Sequence, residues 1–355
     1  MILHFSSKLK KNLFPILTIS ITLGFVLYFL LSNGGVENIG DIFARLRWEW
    51  ALLAVAAALG TLVLEGFTLN LFCRHVCPWW RFGRSFSIGM TGLFYCAITP
   101  FSTGGQPMQI YAMSKMGMDA GKAGSVIAMK TLVYQVVMVL YSLILVSTQL
   151  GFFQRNISNF SFVTVIGLLS NSLFIAAVLT FTVSARGTDR ALRFCLRSLY
   201  RMRLLKHPVQ RYHRIHSQLM MFHKSAGVMG RSFRLYFVTA VCTAVQITVN
   251  SLVTYFIYRS FSLPPENAPM ITMVAAQVFV NMVSAFIPLP GASGGAEGSF
   301  VIFFNKFFGQ DVVPAMFLWR ILTYYINILF GGIATAWGGK RYYVKENSQE
   351  SPAEP

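Results

Sequence analysis

Four ionisable side chains, Glu65, Lys130, Glu297 and Arg320, stand inside or beside long apolar runs of this chain. Charge in hydrocarbon is costly, so each must find an opposite charge, a hydrogen-bonding partner or a charged ligand. Glu297 follows a Gly-Gly pair by two residues, and Arg320 precedes Thr323, Tyr324 and Tyr325. Lys130 has Gln135 further along its own run. Basic groups suit a phosphate and a carboxylate suits an amine, so Arg320 and Lys130 are expected to face the first and Glu297 the second. Glu297 and Arg320 also read as a buried ion pair that fixes helix packing, and the two readings are compatible. Lys130 equally reads as a side chain snorkelling to the aqueous face, and Glu65 as a packing partner near an interface.

Two Pro- and Gly-broken regions flank these charges. Pro100-Phe101-Ser102-Thr103-Gly104-Gly105 and Pro290-Gly291-Ala292-Ser293-Gly294-Gly295 share the pattern P-x-x-[ST]-G-G, 190 residues apart. Pro removes an N–H, and Gly-Gly permits backbone angles that a helix cannot use. Non-helical backbone at membrane depth survives only where protein or a water-filled cavity satisfies its polar groups. A helix restarting after each break would aim free N–H groups and a positive dipole end at an anion. The expected binding set is therefore Thr103, Gly104, Gly105 and Gln106 with Ser293, Gly294 and Gly295, joined by Lys130, Glu297, Arg320 and Tyr324. Gln109 follows the first break, and Gln277 and Asn281 precede the second at helical spacing.

The elements that hold these residues follow from composition. Of 355 residues 55% are hydrophobic and only 12% charged, against about 25% charged in soluble chains. Apolar runs at about 13–31, 51–72, 125–150, 161–183, 235–258 and 314–337 are each long enough to cross a bilayer as a helix. The run after Lys8, Lys10 and Lys11 lacks a small-residue cleavage site and reads as an uncleaved first span. The expected fold is an all-α polytopic membrane protein of about six spans. Two opposed re-entrant hairpins, 85–112 and 270–308, complete it in an inverted-repeat-like arrangement. A single transmembrane domain, 1–343, precedes a polar tail, 344–355.

Orientation follows the lysines and arginines. The loop 184–234 carries twelve of them against the single acid Asp189, so it is expected in the cytoplasm, together with both termini. Arg190, Arg193, Arg197 and Arg201 recur at helical spacing, as on a basic amphipathic helix lying on anionic lipid. The net charge of +18 thus points to headgroups of the inner leaflet and not to nucleic acid. His213 and His216 find no acid nearby in sequence and read as solvated, with no metal site; the scattered cysteines read as reduced, packed thiols. No Walker, H-E-x-x-H or G-x-S-x-G motif is present, so neither a cofactor nor a familiar catalytic centre is expected.

Thr99–Pro107 with Ile110-Tyr111 and Lys115-x-Gly117, then Pro288–Gly291, Gly294–Gly298 and Arg320–Tyr325, resemble the lysylphosphatidylglycerol synthase transmembrane (flippase-like, UPF0104) family. The resemblance runs over about 10–340. It implies a multi-pass protein of a bacterial plasma membrane that moves a phospholipid between leaflets, with an aminoacylated phosphatidylglycerol as one cargo. The bifunctional synthases of that family carry a soluble aminoacyl-transfer domain after the membrane part. The chain ends soon after its last span, so lipid synthesis is not carried over. A homo-oligomer or a separate lipid-synthesising partner fits that departure. The alternative is a membrane-embedded enzyme or accessory subunit that binds lipid-linked substrates.

Overall fold

The computed structural model describes residues 46–156, 160–202, 208–285 and 287–346. The expected first span, the N-terminal lysines and the tail from 347 lie outside them. Among the described residues every regular element is helical. Four helical stretches are long and apolar enough to cross a bilayer: Trp48–Val76, Ala120–Leu145, Phe233–Ser260 and Pro290–Ala336.

The chain runs through α1 (Trp48–Val76), α2 (Phe82–Ile98), a 3₁₀ turn at Pro100–Ser102 and α3 (Gly105–Lys115), then α4 (Ala120–Asn156) and α5 (Phe160–Val183). After α6 (Ala185–Arg201) and α7 (Pro208–Gly230) come α8 (Phe233–Ser260), α9 (Met270–Ser284), a second 3₁₀ turn at Pro290–Ala292 and α10 (Gly295–Phe308). The last helix begins as α11 (Val312–Arg320), widens to a π-turn at Ile321–Tyr325 and ends as α12 (Ile326–Glu346).

Helices α1 and α8 form the central pair and run antiparallel throughout. The Arg47 N–H bonds the Ser260 carbonyl, Trp50 meets Phe256, Gly60 faces Val249, Glu65 meets Gln246 and Phe72 meets Tyr236. Each half then adds one helical hairpin. The first, α2–α3, starts where α1 ends and finishes where α4 begins; the second, α9–α10, starts where α8 ends and finishes just before α11. Both tips therefore point inward, and the two 3₁₀ turns touch.

Two apolar cores result. One gathers the end of α1, the start of α4 and the first hairpin, including Phe72, Ile88, Met113 and Val126. The other gathers the start of α1, the end of α8 and the second hairpin, including Phe279, Phe300, Phe304 and Trp319. Phe279 stacks on Phe303 at 5.9 Å and Phe300 on Trp319 at 5.0 Å, so aromatic faces fill the second core.

The stretch 184–234, read as a basic loop, is instead mostly two helices. α7 packs along α4, where a Cβ on Gly121 would sit 2.2 Å from the Gln218 carbonyl. Gln218 Oε1 accepts the Gly121 N–H at 2.8 Å. The arginines at helical spacing do lie on one helix, α6, and Arg190, Arg193, Arg197 and Arg201 are exposed. The histidine reading needs correction, because folding α7 onto α6 brings an acid 27 positions away into contact. His216 Nδ1–H donates to Asp189 Oδ1 at 2.9 Å and Tyr212 O–H donates to the same oxygen at 3.0 Å. Arg193 bonds the other oxygen, and His223 Nδ1–H reaches the Thr182 carbonyl at 3.0 Å.

The Arg193 hydrogen bond above all, helped by Tyr212 and His216, holds the Asp189 carboxyl below its ordinary value. A lowered folded-state value means that this cluster stabilises the α6–α7 corner above the unfolded-state titration near pH 4 and is lost as acid protonates the folded form. Hydrogen exchange of α6 and α7, corrected for intrinsic rates, should stay constant down to about pH 4 and accelerate only below it. Asp189→Asn should remove that acid step; an unchanged step would place its origin elsewhere.

Candidate functional site

The two motif copies adopt one backbone conformation. Phe101 and Ser102 have φ of 51° and 53°, and Gly291 and Ala292 have 61° and 54°. In both, the N–H three residues after Pro–1 closes a turn: Ser102 to the Thr99 carbonyl at 3.2 Å, Ala292 to the Leu289 carbonyl at 2.9 Å. Thr103 and Ser293 hydroxyls each donate to the carbonyl of their proline, at 3.0 and 2.7 Å.

The copies part at the next residues. Gly104 is already helical, and its N–H donates to Thr99 Oγ1 at 2.9 Å. Gly294 has φ of 81°, and its N–H donates to Glu297 Oε2 at 2.7 Å. The carboxylate at the third helical position thus reaches back to cap α10. Its other oxygen accepts Arg320 Nε at 2.7 Å. Side-chain exposure is 0% for Glu297 and 5% for Arg320, so this is a buried ion pair. Arg320 Nη2 has no hydrogen-bond partner among the described residues. The guanidinium instead lies 5.1 Å from the Trp319 ring centroid and 5.2 Å from that of Tyr324, whose faces carry the complementary charge.

Tyr324 ties the tips together. Its O–H donates to the Ala97 carbonyl of the first hairpin at 3.1 Å, while its ring covers Gly291 of the second, where a Cβ would lie 2.4 Å away. The π-turn at Ile321–Tyr325 adds the helical phase that delivers this ring.

Between the two cores lies a polar cavity of about 400 Å³. Glu65 from α1 and Lys130 from α4 form an ion pair in it, with side chains 11% and 15% exposed. Gln246 Nε2 from α8 donates to the second Glu65 oxygen at 3.2 Å. Asn250, Asn281 and Asn327 add amides from three further positions, and Gln106 and Gln109 add two from the first hairpin. Lys130 therefore reaches a carboxylate at mid-helix instead of snorkelling, and Glu65 sits at the centre of α1 and not near its end.

A second, more apolar groove of about 820 Å³ runs between the first hairpin, α4 and α5. Phe101, Pro107, Ile110, Ile127, Phe174 and Phe181 are among its walls. It shares Cys96, Ser102, Gln106, Thr131 and Gln135 with the polar cavity, so the two adjoin along a common wall.

The expected site residues thus divide. Gln106 and Lys130 line the polar cavity, and Thr103 with Gln106 lines the groove. Gly104 and Gly105 build the first turn, with Gly105 against Cys96 and the Gly92 carbonyl. Ser293, Gly294, Gly295, Glu297, Arg320 and Tyr324 build and lock the second tip. Gln246, Asn250 and Asn327 were not singled out from the sequence. Their signal was present: polar pairs four residues apart recur at mid-helix as Thr61/Glu65, Gln246/Asn250 and Thr323/Asn327. The internal repeat extends beyond the two breaks. Lys130, Leu132 and Tyr134 match Arg320, Leu322 and Tyr324 at the same 190-residue offset, so the two basic residues are counterparts with different acids.

Comparison with known proteins adds a family and distant relatives. The model of the family described as the lysylphosphatidylglycerol synthase TM region matches residues 16–331. A UPF0104 membrane protein of Archaeoglobus fulgidus is 24% identical over 315 residues, covering 83% of this chain and 88% of its own. The uncharacterised MG306 homologue of Mycoplasma pneumoniae is 23% identical over 337 residues, covering 88% of this chain and 83% of its own.

Proposed function

Because this chain belongs to the lysylphosphatidylglycerol synthase TM-region family, we propose that it moves a phospholipid between the leaflets of the plasma membrane. The observation that carries this reading is that a polar chamber holding one acid and one base adjoins a more apolar groove of about 820 Å³. A headgroup occupies the chamber and its acyl chains occupy the groove. A soluble ligand has no use for the second space, which supports lipid over a polar metabolite.

In this reading the chain crosses the bilayer six times, and the hairpins enter from opposite faces and meet near its midplane. Both termini and the α6–α7 pair are cytoplasmic, as the basic residues require. The groove lies beside the end of α5 and the start of α4, and so faces the inner leaflet. The exposed arginines of α6 gather anionic lipid there. Lys130 receives the phosphate; Glu297 and Arg320 hold the second hairpin rigid and touch no cargo. Aminoacylated phosphatidylglycerol is the first cargo to try.

The test is reconstitution in liposomes with fluorescent lysyl-phosphatidylglycerol and an impermeant quencher. Bleaching should pass the half that outer-leaflet label accounts for, and Lys130→Ala should slow the excess about tenfold, a loss of roughly 1.4 kcal/mol of barrier lowering. Phosphatidylcholine serves as the control cargo. Bleaching that stops at half with folded protein, for both aminoacylated and plain phosphatidylglycerol, would sink translocation and leave a lipid-binding accessory role.

A further inference from the structure

Charge bookkeeping inside the polar chamber leads beyond that reading while resting on it. Glu65 and Lys130 are the charged side chains that line the chamber; its other polar walls are amides, hydroxyls, a thiol and a phenol. The charges on the chamber walls therefore sum to zero. Arg320 offers no second cation, being 5% exposed and bound to Glu297. Glu297 offers no second proton site, since one oxygen is held by Arg320 and the other by the Gly294 N–H.

We infer that loading an anionic headgroup is coupled to the uptake of a proton by Glu65. A phosphate entering the chamber has one cation to turn to, the Lys130 ammonium. Once Lys130 turns, Glu65 keeps only the neutral Gln246 amide, at 3.2 Å. A buried carboxylate stripped of its counter-ion is expensive, and the group neutralises instead of staying charged. The proton comes from water that enters the chamber with the headgroup. An O–H bond forms at the Glu65 oxygen that Lys130 has left, hydronium becomes water, and Lys130 stays protonated. Total charge is zero before and after, with the phosphate replacing the carboxylate as partner of the ammonium.

The groups around Glu65 leave this role to it. From α4 it faces Lys130 and shares the chamber wall with Tyr134; from α2 it shares that wall with Cys96; from α8 it meets the uncharged Gln246. A headgroup that carries its own amine behaves differently. The amine takes the place of Lys130 at Glu65, the phosphate takes Lys130, and no proton is needed. The device therefore separates plain anionic lipids, which bring a proton, from aminoacylated ones, which do not.

Calorimetric titration of the full-length protein in uncharged detergent, repeated in buffers of different ionisation enthalpy, counts protons per lipid bound. Short-chain phosphatidylglycerol should bring about one proton into the protein, and its lysyl ester about none. Glu65→Gln should lower the count for phosphatidylglycerol to zero, whatever its affinity. Infrared difference spectra of the unmutated protein should show a protonated carboxyl appearing with phosphatidylglycerol, which keeps the test open if the variant fails to fold. Phosphatidylglycerol bound with no proton, or an undiminished count in Glu65→Gln, would overturn the coupling and leave the lipid reading intact. No binding of either lipid by folded protein would overturn the lipid reading, and the coupling with it.

Discussion

Arg320→Ala is expected to cost about 3–5 kcal/mol of stability, the loss typical when one partner of a buried ion pair is removed. The mechanism is the charge left behind. Glu297 is wholly buried and would keep the Gly294 N–H as its single partner. The damage should then spread, because the same carboxylate caps α10 and the same guanidinium lies against Trp319 and Tyr324. Thermal unfolding in detergent would read it, with Glu297→Gln/Arg320→Gln beside it. The double variant removes both charges and should be clearly more stable than Arg320→Ala. A single variant within about 1 kcal/mol of the unmutated protein would show that the pair is screened in a way its burial does not allow.

Gly291→Ala should be nearly as damaging, for a reason that the backbone alone does not give. Positive φ is tolerable at this turn, since Phe101 holds the same conformation at φ 51° in the other copy. What forbids a side chain at 291 is the ring of Tyr324, 2.4 Å from where a Cβ would sit. The methyl group forces that ring or the tip to move, at about 1–3 kcal/mol, and breaks the Tyr324 hydrogen bond to Ala97. Translocation should fall at least tenfold, since the tips no longer seat against each other. Tyr324→Ala added to Gly291→Ala should recover most of the stability lost to the clash. If it recovers none, the strain lies in the backbone and the contact with Tyr324 is incidental.

Much of the frame could be read from residue types alone. Pro and Gly-Gly announce the two breaks, and apolar length announces the long helices, because both are local properties of the chain. The pairing of Glu297 with Arg320 was also legible as one of two readings. What escaped was tertiary. Glu65 lies 65 positions from Lys130 and 181 from Gln246, and nothing local says which helix faces which. Asp189 and His216 failed for the same reason on a smaller scale. The half-helix N-termini were expected to offer free N–H groups, and one such group at each is bound by the chain itself, Gly104 N–H by Thr99 and Gly294 N–H by Glu297. A capping side chain within five residues is a local signal of that kind.

The meeting of the two tips also determines where an electric field would fall. With the chain oriented as proposed and the groove opening into the chamber, cytoplasmic water, and so cytoplasmic potential, would reach mid-depth. The aromatic core around Phe279, Phe300 and Trp319 then holds most of the insulating thickness. A membrane voltage concentrates across that core, at about 2.3 kcal/mol per elementary charge for each 100 mV. A lipid phosphate poised at Lys130 would then have crossed half the bilayer yet almost none of the voltage. Its remaining path carries nearly all of the electrical work, so an anionic and a cationic cargo leaving the same chamber would feel the resting potential in opposite senses.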